Sequence, residues 1–205
     1  MGCPADCCTA CGNLRLWYQF EETSGSTVYD ASGCNNDGTS SSITHTQPGR
    51  IGYSYLFNTA TMIYAYVQVP DDITLSGMGQ LTVEAWVNHT GTSFESIVSH
   101  GNAMGGDPYI FHTYSASNVA LTLGNHPSCT GMGSYESGAV GTIPSSAWHH
   151  VAMTNNAVPG GNILLYLDGN QVYSWPTSTT MRRHRPLQAR DQPRAAPCRP
   201  GRSRA

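Results

Sequence analysis

The residues best suited to hold a metal ion lie in one short loop. Asp30, Asn36 and Asp37 offer hard oxygen ligands close together in sequence, and Gly33 and Gly38 let the backbone turn so that carbonyl groups can point inward. Calcium binds about six to eight oxygens of this kind. The spacing of an EF-hand is absent, because no Glu closes the loop. The loop predicts a structural Ca2+ site at Asp30, Asn36 and Asp37, and an Asx-turn loop satisfied by its own backbone stays open as the alternative.

Catalytic carboxylates are not arranged in the pattern that sugar cleavage requires. Glycosidases need two carboxylates roughly 5–10 Å apart, which one strand can present at alternate positions. No acidic residue stands at positions 82, 86 or 88, which would share a strand face with Glu84. Glu21 and Glu22 are adjacent, so they would face opposite sides of a strand. No Gly-x-Ser-x-Gly motif is present, and no Cys stands beside a plausible His. We therefore expect that the chain is not an enzyme.

Two pairs of residues could be taken for functional groups but favour a structural interpretation. His149 and His150 are adjacent in an apolar run, so in a strand their rings point to opposite faces and cannot share one ion. We expect one hydrogen-bonded core histidine beside one surface histidine. Trp86 and Trp148 are expected to be core aromatics, with a binding platform as the alternative.

A glycan site needs an exposed aromatic ring together with amide or carboxylate groups on a loop rim. The region between residues 100 and 147 is rich in turn residues and contains five such side chains. The candidate ligand-binding residues are Tyr114, Asn118, Asn125, His126 and Tyr135.

The chain has seven cysteines, an odd number. Cys34 and Cys129 both lie in Gly- and Asn-rich segments and are candidates for a disulfide, although the sequence leaves the pairing open. Four further cysteines lie near the start of the chain. A second pair of zinc ligands at the usual spacing and a nearby His are both missing, so disulfides are favoured over zinc. Disulfides indicate an oxidising compartment. We expect a secreted protein whose export signal is not in this chain, since residues 1–12 lack an apolar core and no run could span a membrane.

The elements that must position these residues are short strands. Residues 81–87 alternate strictly between apolar and polar, as a half-buried strand does. Asp168-Gly169, between residues 163–167 and 171–175, predicts a tight hairpin turn. No stretch sustains a helical period. Charged residues make up only 11% of the chain, well below the globular average of about 25%. Further strands are predicted at 14–20, 53–57, 65–69, 97–99, 109–112, 119–123 and 148–154, with a turn-rich stretch from 21 to 50.

Four segments, in order, resemble a known family. They are LWYQFEE at 16–22, VYDASGCNNDGT at 28–39, YVQVP at 66–70 leading into LTVEAWV at 81–87, and WHHVA at 148–152 followed by LYLDG at 165–169. The chain resembles a LamG-like jelly-roll domain of the concanavalin A-like lectin/glucanase superfamily. The resemblance implies an all-β, antiparallel β-sandwich of jelly-roll type. It also implies a calcium ion between the loop at Asp30 and an acidic residue of the closing strand.

The closing strand of such domains is missing here, so the fold is expected to be incomplete at its C-terminus. Eight of the ten Arg crowd residues 182–205, whereas twelve of thirteen acidic residues precede them. One interpretation is a basic arm that binds nucleic acid or another anionic polymer. The favoured interpretation is that the tail is translated out of frame. With suitable codons, a one-base shift lets the tail read FRLGTN and AGRVD, which resemble the missing closing segments of the family. The tail has no aromatic residue to stack on bases, so no nucleic acid partner is expected.

We expect a Cys-rich linker at 1–13, a LamG-like domain at 14–175 and a disordered Arg/Pro-rich tail at 176–205. The predicted function is a non-catalytic extracellular binding or adhesion module that recognises a glycan or an extracellular protein. Two alternatives stay open: an accessory domain of a secreted polysaccharide-degrading or sialidase-like enzyme, and a truncated gene product without function.

Overall fold

The computed structural model describes residues 13–57, 64–75, 80–89, 95–100, 109–114, 118–123, 135–136, 140–144, 146–156 and 162–176. The chain divides into two compact units, Met1–Ser76 and Gly77–Ala205. Within the described residues every strand pairing is antiparallel, and the only helical element is a 3-10 turn, Ile73–Leu75. No helix in these ranges is long and apolar enough to cross a membrane.

The first unit contains a three-stranded sheet and a hairpin. The strands are β1 (Thr27–Val28), β2 (Gly38–Ser41), β3 (Ile43–Pro48), β4 (Tyr53–Phe57) and β5 (Tyr66–Gln68). The sheet has the order β1-β2-β5, and β3 pairs with β4. Among the described residues of this unit, Val28 and Tyr55 are buried and apolar, and the ring of Phe20 packs with its centroid 4.9 Å from that of Tyr55.

Two predictions about this unit were wrong. Residues 14–20 do not form a continuous strand, since only an isolated antiparallel bridge joins Tyr18 to Asp30. Phe20, with φ of 59°, is in the left-handed region, which ends any extended run there. The stretch from 21 to 50 contains β1, β2 and β3 rather than turns alone. Their Thr-, Ser- and Gly-rich sequences have little apolar alternation to indicate a strand.

The second unit contains two sheets. One has the order β14-β13-β12-β6, and the other β10-β9-β8-β7 with β11 beside β9. The strands are β6 (Gln80–Asn88), β7 (Glu95–His100), β8 (Tyr109–Tyr114), β9 (Asn118–Leu123), β10 (Tyr135–Glu136), β11 (Val140–Thr142), β12 (Trp148–Asn156), β13 (Asn162–Leu167) and β14 (Asn170–Pro176).

Side chains from both sheets meet in one core. Phe111 of β8 and Val151, Met153 and Leu165 of the four-stranded sheet are fully buried in the same cluster. The apolar positions of β6 pack against this cluster, while its polar positions alternate to the exposed side, which confirms the predicted amphipathic strand. A shared core between two antiparallel sheets is the arrangement of a β-sandwich.

The predicted hairpin turn is also confirmed. Asp168 and Gly169 have φ of 48° and 77°, and Leu167 pairs with Asn170 across them. Positive φ at both central residues is the geometry of a type I′ turn, which favours Asp-Gly. Pairing of β14 continues to Pro176, so the strand extends to that residue. The architecture is all-β and antiparallel, as expected for a concanavalin A-like jelly roll.

Candidate functional site

The loop around Asp30 is held together by its own carboxylate. Oδ1 of Asp30 accepts hydrogen bonds from the backbone nitrogens of Trp17 and Ser32, both at 2.9 Å. Oδ2 accepts from the Ser32 hydroxyl at 2.7 Å and from the Asn36 nitrogen at 3.0 Å. Burial raises the pKa of Asp30, but these hydrogen bonds outweigh it, so the pKa lies below its ordinary value. The carboxylate is therefore the organiser of the loop.

Asn36 is buried and ties the loop to the segment before it. Its side-chain nitrogen donates to the carbonyl of Arg15 at 2.8 Å and to Oγ1 of Thr74 at 3.0 Å. Its own carbonyl accepts a 2.6 Å hydrogen bond from the hydroxyl of Tyr18. Burial, with the nearby negative charge of Asp30 and Asp37, raises the pKa of that hydroxyl. These contacts give Asn36 a structural role in the loop.

Hydrogen bonds within the protein compete with calcium for the carboxylate oxygens of Asp30 and Asp37. Both Asp30 oxygens already accept two hydrogen bonds each from the protein, and Oδ1 of Asp37 accepts one from the Asp30 nitrogen. A calcium ion would have to replace these donors. Within the described ranges no group of three or more His, Cys, Asp or Glu side chains is placed to hold a metal. The geometry favours the Asx-turn alternative, and calcium binding stays a prediction.

Of the five candidate glycan residues the structure describes three, and these three do not lie together. Tyr114 ends β8 and pairs directly with Asn118, which begins β9. Tyr135 pairs with Leu123 at the other end of β9, roughly 17 Å away at about 3.4 Å per residue. These three residues lie at strand ends rather than in loops, and the structure describes only their backbones. Asn125 and His126 lie outside the described residues.

Cys34 is disulfide-bonded. Its partner lies outside the described residues, as does Cys129, so the pairing of Cys34 with Cys129 stays a prediction. The Cys34 sulfur lies 3.6 Å from the carbonyl oxygen of Leu14, near the beginning of the described chain.

The two adjacent histidines face opposite sides of β12. His149, on the side of the core residues Val151 and Met153, lies with Nδ1 2.7 Å from Oδ2 of Asp168. His150 points to the other side, where its ring centroid is 5.3 Å from that of Trp86. The structural interpretation of this pair is therefore supported by the geometry.

Trp86 is not a core aromatic, and this expectation was wrong. Its side chain is on the outward side of β6 and is 46% exposed, because the inward side of that strand is taken by Leu81, Val83, Ala85 and Val87. Trp148 is half-buried. The alternation of β6 already placed Trp86 with Thr82 and Glu84, but sequence alone could not show that the described residues would leave that side partly uncovered.

Trp86 is part of a group of polar and aromatic side chains on this outward side. Oε2 of Glu84 lies 3.6 Å from Nε2 of His150, and the Glu84 side chain is 68% exposed. The register places Ala152 between Glu84 and Tyr166 on neighbouring strands. A small residue there leaves a shallow floor between the larger ones. We call this set, Glu84, Trp86, His150, Ala152 and Tyr166, the Trp86 face.

A family model described as the concanavalin A-like lectin/glucanases superfamily matches residues 59–196, which is more than half of the chain. The chain belongs to this superfamily. The match contains all of the Trp86 face and begins after the loop at Asp30. It also extends beyond Pro176, the last described residue. No curated protein and no solved structure matches the chain. The superfamily includes both lectins and glucanases, so membership is consistent with binding but does not decide whether the chain is an enzyme.

Proposed function

We propose that this chain is a non-catalytic, extracellular carbohydrate-binding module that holds its ligand on the Trp86 face. The observation that supports this most is the exposed Trp86 ring beside His150 and Glu84, on a regular sheet of the matched superfamily. An exposed aromatic ring offers a flat apolar surface to a sugar ring. Carboxylate and imidazole groups beside it can hydrogen-bond with the sugar hydroxyls.

The surroundings of Trp86 suit recognition of a sugar. The four-stranded sheet holds β6 against β12 over nine paired positions, from Trp148↔Asn88 to Asn156↔Gln80. Side chains on a paired strand are placed more precisely than those on a loop. Ala152, directly across from Glu84, keeps the centre of the face low. Because these side chains are held in place around Ala152 before binding, they can contact a pyranose ring with little further loss of conformational entropy.

The absence of catalysis is part of the proposal, and two observations support it. On the exposed side of β6 the neighbours of Glu84 are Thr82 and Trp86, so that strand offers no second carboxylate. Both carboxylate oxygens of Asp168, on the nearby turn, already have partners. Oδ2 contacts the His149 ring, and Oδ1 accepts a hydrogen bond from the His150 backbone nitrogen. A pair of catalytic carboxylates must act as acid and as nucleophile or base across one glycosidic bond. The described residues of this face present one such group.

We also propose that the protein is extracellular. The oxidised Cys34 supports it, because structural disulfides persist in oxidising compartments.

Binding to an array of neutral and acidic glycans, with the 205-residue chain, tests this function. We expect retention on at least one glycan and a loss of roughly tenfold or more with Trp86→Ala, as for truncated aromatic hot spots. Trp86→Phe should retain part of the affinity, and Thr82→Ala, an exposed neighbour on the same strand, should retain all of it. No reducing ends should be released from a bound polysaccharide. Binding to no glycan, or equal binding by Trp86→Ala, would overturn the proposal.

A further inference from the structure

Two large aromatic side chains of the first unit are exposed side by side. Trp17 is 48% exposed and Tyr29 is 62% exposed. The antiparallel bridge between Tyr18 and Asp30 sets Trp17 across from Ala31 and Gln19 across from Tyr29. Tyr18, between Trp17 and Gln19, is turned to the less exposed side, so Trp17 and Gln19 share one face. Trp17 and Tyr29 are therefore diagonal neighbours, at a typical spacing of about 7–8 Å.

The other two positions of this group keep the aromatic rings accessible. Ala31 is exposed and small, so it leaves the surface beside Trp17 uncovered. Gln19 is also exposed, and its amide has no hydrogen-bond partner in the part of the chain that the structure describes. An amide offers two donors and one acceptor oxygen to a ligand. The four residues form a flat surface with a free hydrogen-bonding group, which we call the Trp17 face.

Carboxylates behind this face hold its backbone in place. The nitrogen of Trp17 donates to Oδ1 of Asp30, and the carbonyl of Trp17 accepts from the nitrogen of Ala31 at 2.9 Å. The nitrogen of Tyr29 donates to Oε1 of Glu22 at 2.8 Å, and Oε2 of Glu22 accepts from the hydroxyl of the buried Tyr55. Because both aromatic residues are anchored through their backbones, little ordering is needed when a ligand binds.

The composition of this face favours one kind of ligand. None of its four members is charged, so it does not select an anionic polymer by charge. A stable protein interface would be expected to bury roughly 800 Å2 on each partner. Two aromatic rings beside one free amide match the apolar faces and hydroxyl groups of adjoining sugar rings.

We propose that the Trp17 face is a second carbohydrate site, which binds a neutral oligosaccharide of at least two sugar rings. Trp17 and Tyr29 stack against adjoining rings, and the Gln19 amide hydrogen-bonds with a hydroxyl. Asp30 and Glu22 are positioning residues that hold the two aromatic residues. The site lies in the first unit and outside the residues matched by the family model, so it does not depend on the Trp86 face.

The test uses the 205-residue chain and affinity electrophoresis through gels containing β-glucan, xylan, mannan or galactan, with polyanionic heparin as the charged comparison. We expect retardation by at least one neutral polysaccharide. Trp17→Ala and Tyr29→Ala should each weaken it roughly tenfold or more, and Gln19→Ala by a smaller factor. Tyr64→Ala removes an aromatic that is 83% exposed in the same unit and should change nothing. Circular dichroism should show that each variant retains the fold.

The double variant Trp17→Ala/Tyr29→Ala separates this proposal from the one for Trp86. Retardation that persists in the double variant and disappears in Trp86→Ala would overturn the second site and leave the first. Retardation that disappears only in the double variant would overturn the assignment to the Trp86 face and leave the second site. Retardation by heparin alone, or by no polysaccharide, would overturn the Trp17 site.

Discussion

His149 and Asp168 are joined by a 2.7 Å contact between Nδ1 and Oδ2 that links the start of β12 to the turn between β13 and β14. The same turn is bound twice more to β12, since Oδ1 of Asp168 accepts from the His150 nitrogen at 2.9 Å and the Asp168 nitrogen donates to the His150 carbonyl at 2.8 Å. One Asp residue thus fixes a hairpin turn against the neighbouring strand.

This contact predicts a pH dependence of stability. The hydrogen bonds from His149 and from the His150 nitrogen lower the pKa of Asp168 below its ordinary value. Its contribution should therefore be complete above the unfolded pKa of about 3.9. It should be lost as pH falls from there through the lower pKa of the folded state. Urea unfolding of Asp168→Asn should show a smaller loss of stability below about pH 4 than the original chain. A pH dependence of stability in Asp168→Asn identical to that of the original chain would contradict the prediction.

The Asp30 loop predicts the response to calcium. Because its oxygens accept four hydrogen bonds from the protein, Asp30→Asn should lower thermal stability with or without metal. If the loop is the Asx-turn alternative, millimolar Ca2+ or EGTA should leave the melting temperature of the original chain unchanged. A rise in melting temperature with Ca2+ that vanishes in Asp30→Asn and Asp37→Asn would instead establish the calcium site expected from the sequence.

The core of the second unit predicts a large effect of truncating Leu165. This side chain is fully buried among Phe111, Val151 and Met153. Leu165→Ala should lower the free energy of unfolding by about 2–5 kcal/mol, from lost burial and the cavity left behind. Leu56→Ala removes the same atoms from a side chain that is 44% exposed and should cost much less. Chemical denaturation followed by tryptophan fluorescence measures both, and equal losses would show that the core is placed wrongly.

The turn geometry predicts a difference between two substitutions of Gly169. At φ of 77° no neighbouring atom blocks a Cβ, so only the backbone conformation matters. Gly169→Ala should cost about 1–2 kcal/mol, because an L-residue is strained in the left-handed region. Gly169→Asn should cost less, since Asn tolerates this region better. Thermal unfolding of the two variants ranks them, and an Ala variant as stable as the Asn variant would refute the turn assignment.

The partner of Cys34 can be found by mapping peptides without reduction. The sulfur lies near the carbonyl of Leu14, three residues after Cys11 in sequence, so the N-terminal cysteines are an alternative to Cys129 as the partner. A peptide that joins Cys34 to Cys129 would instead confirm the pairing that loop composition suggested.

Local pattern by itself determined much of the second unit. Strict alternation in β6 and the Asp-Gly pair before β14 predicted the strand, its two faces and the turn, because side-chain period and turn residues act over a few positions. Only the tertiary structure decided the rest. Trp86 is exposed because the described residues leave the outward side of β6 partly uncovered, and Asp30 is saturated by donors that include the Trp17 nitrogen, thirteen residues away. Such long-range contacts depend on how distant strands pack together, which the local sequence pattern does not show.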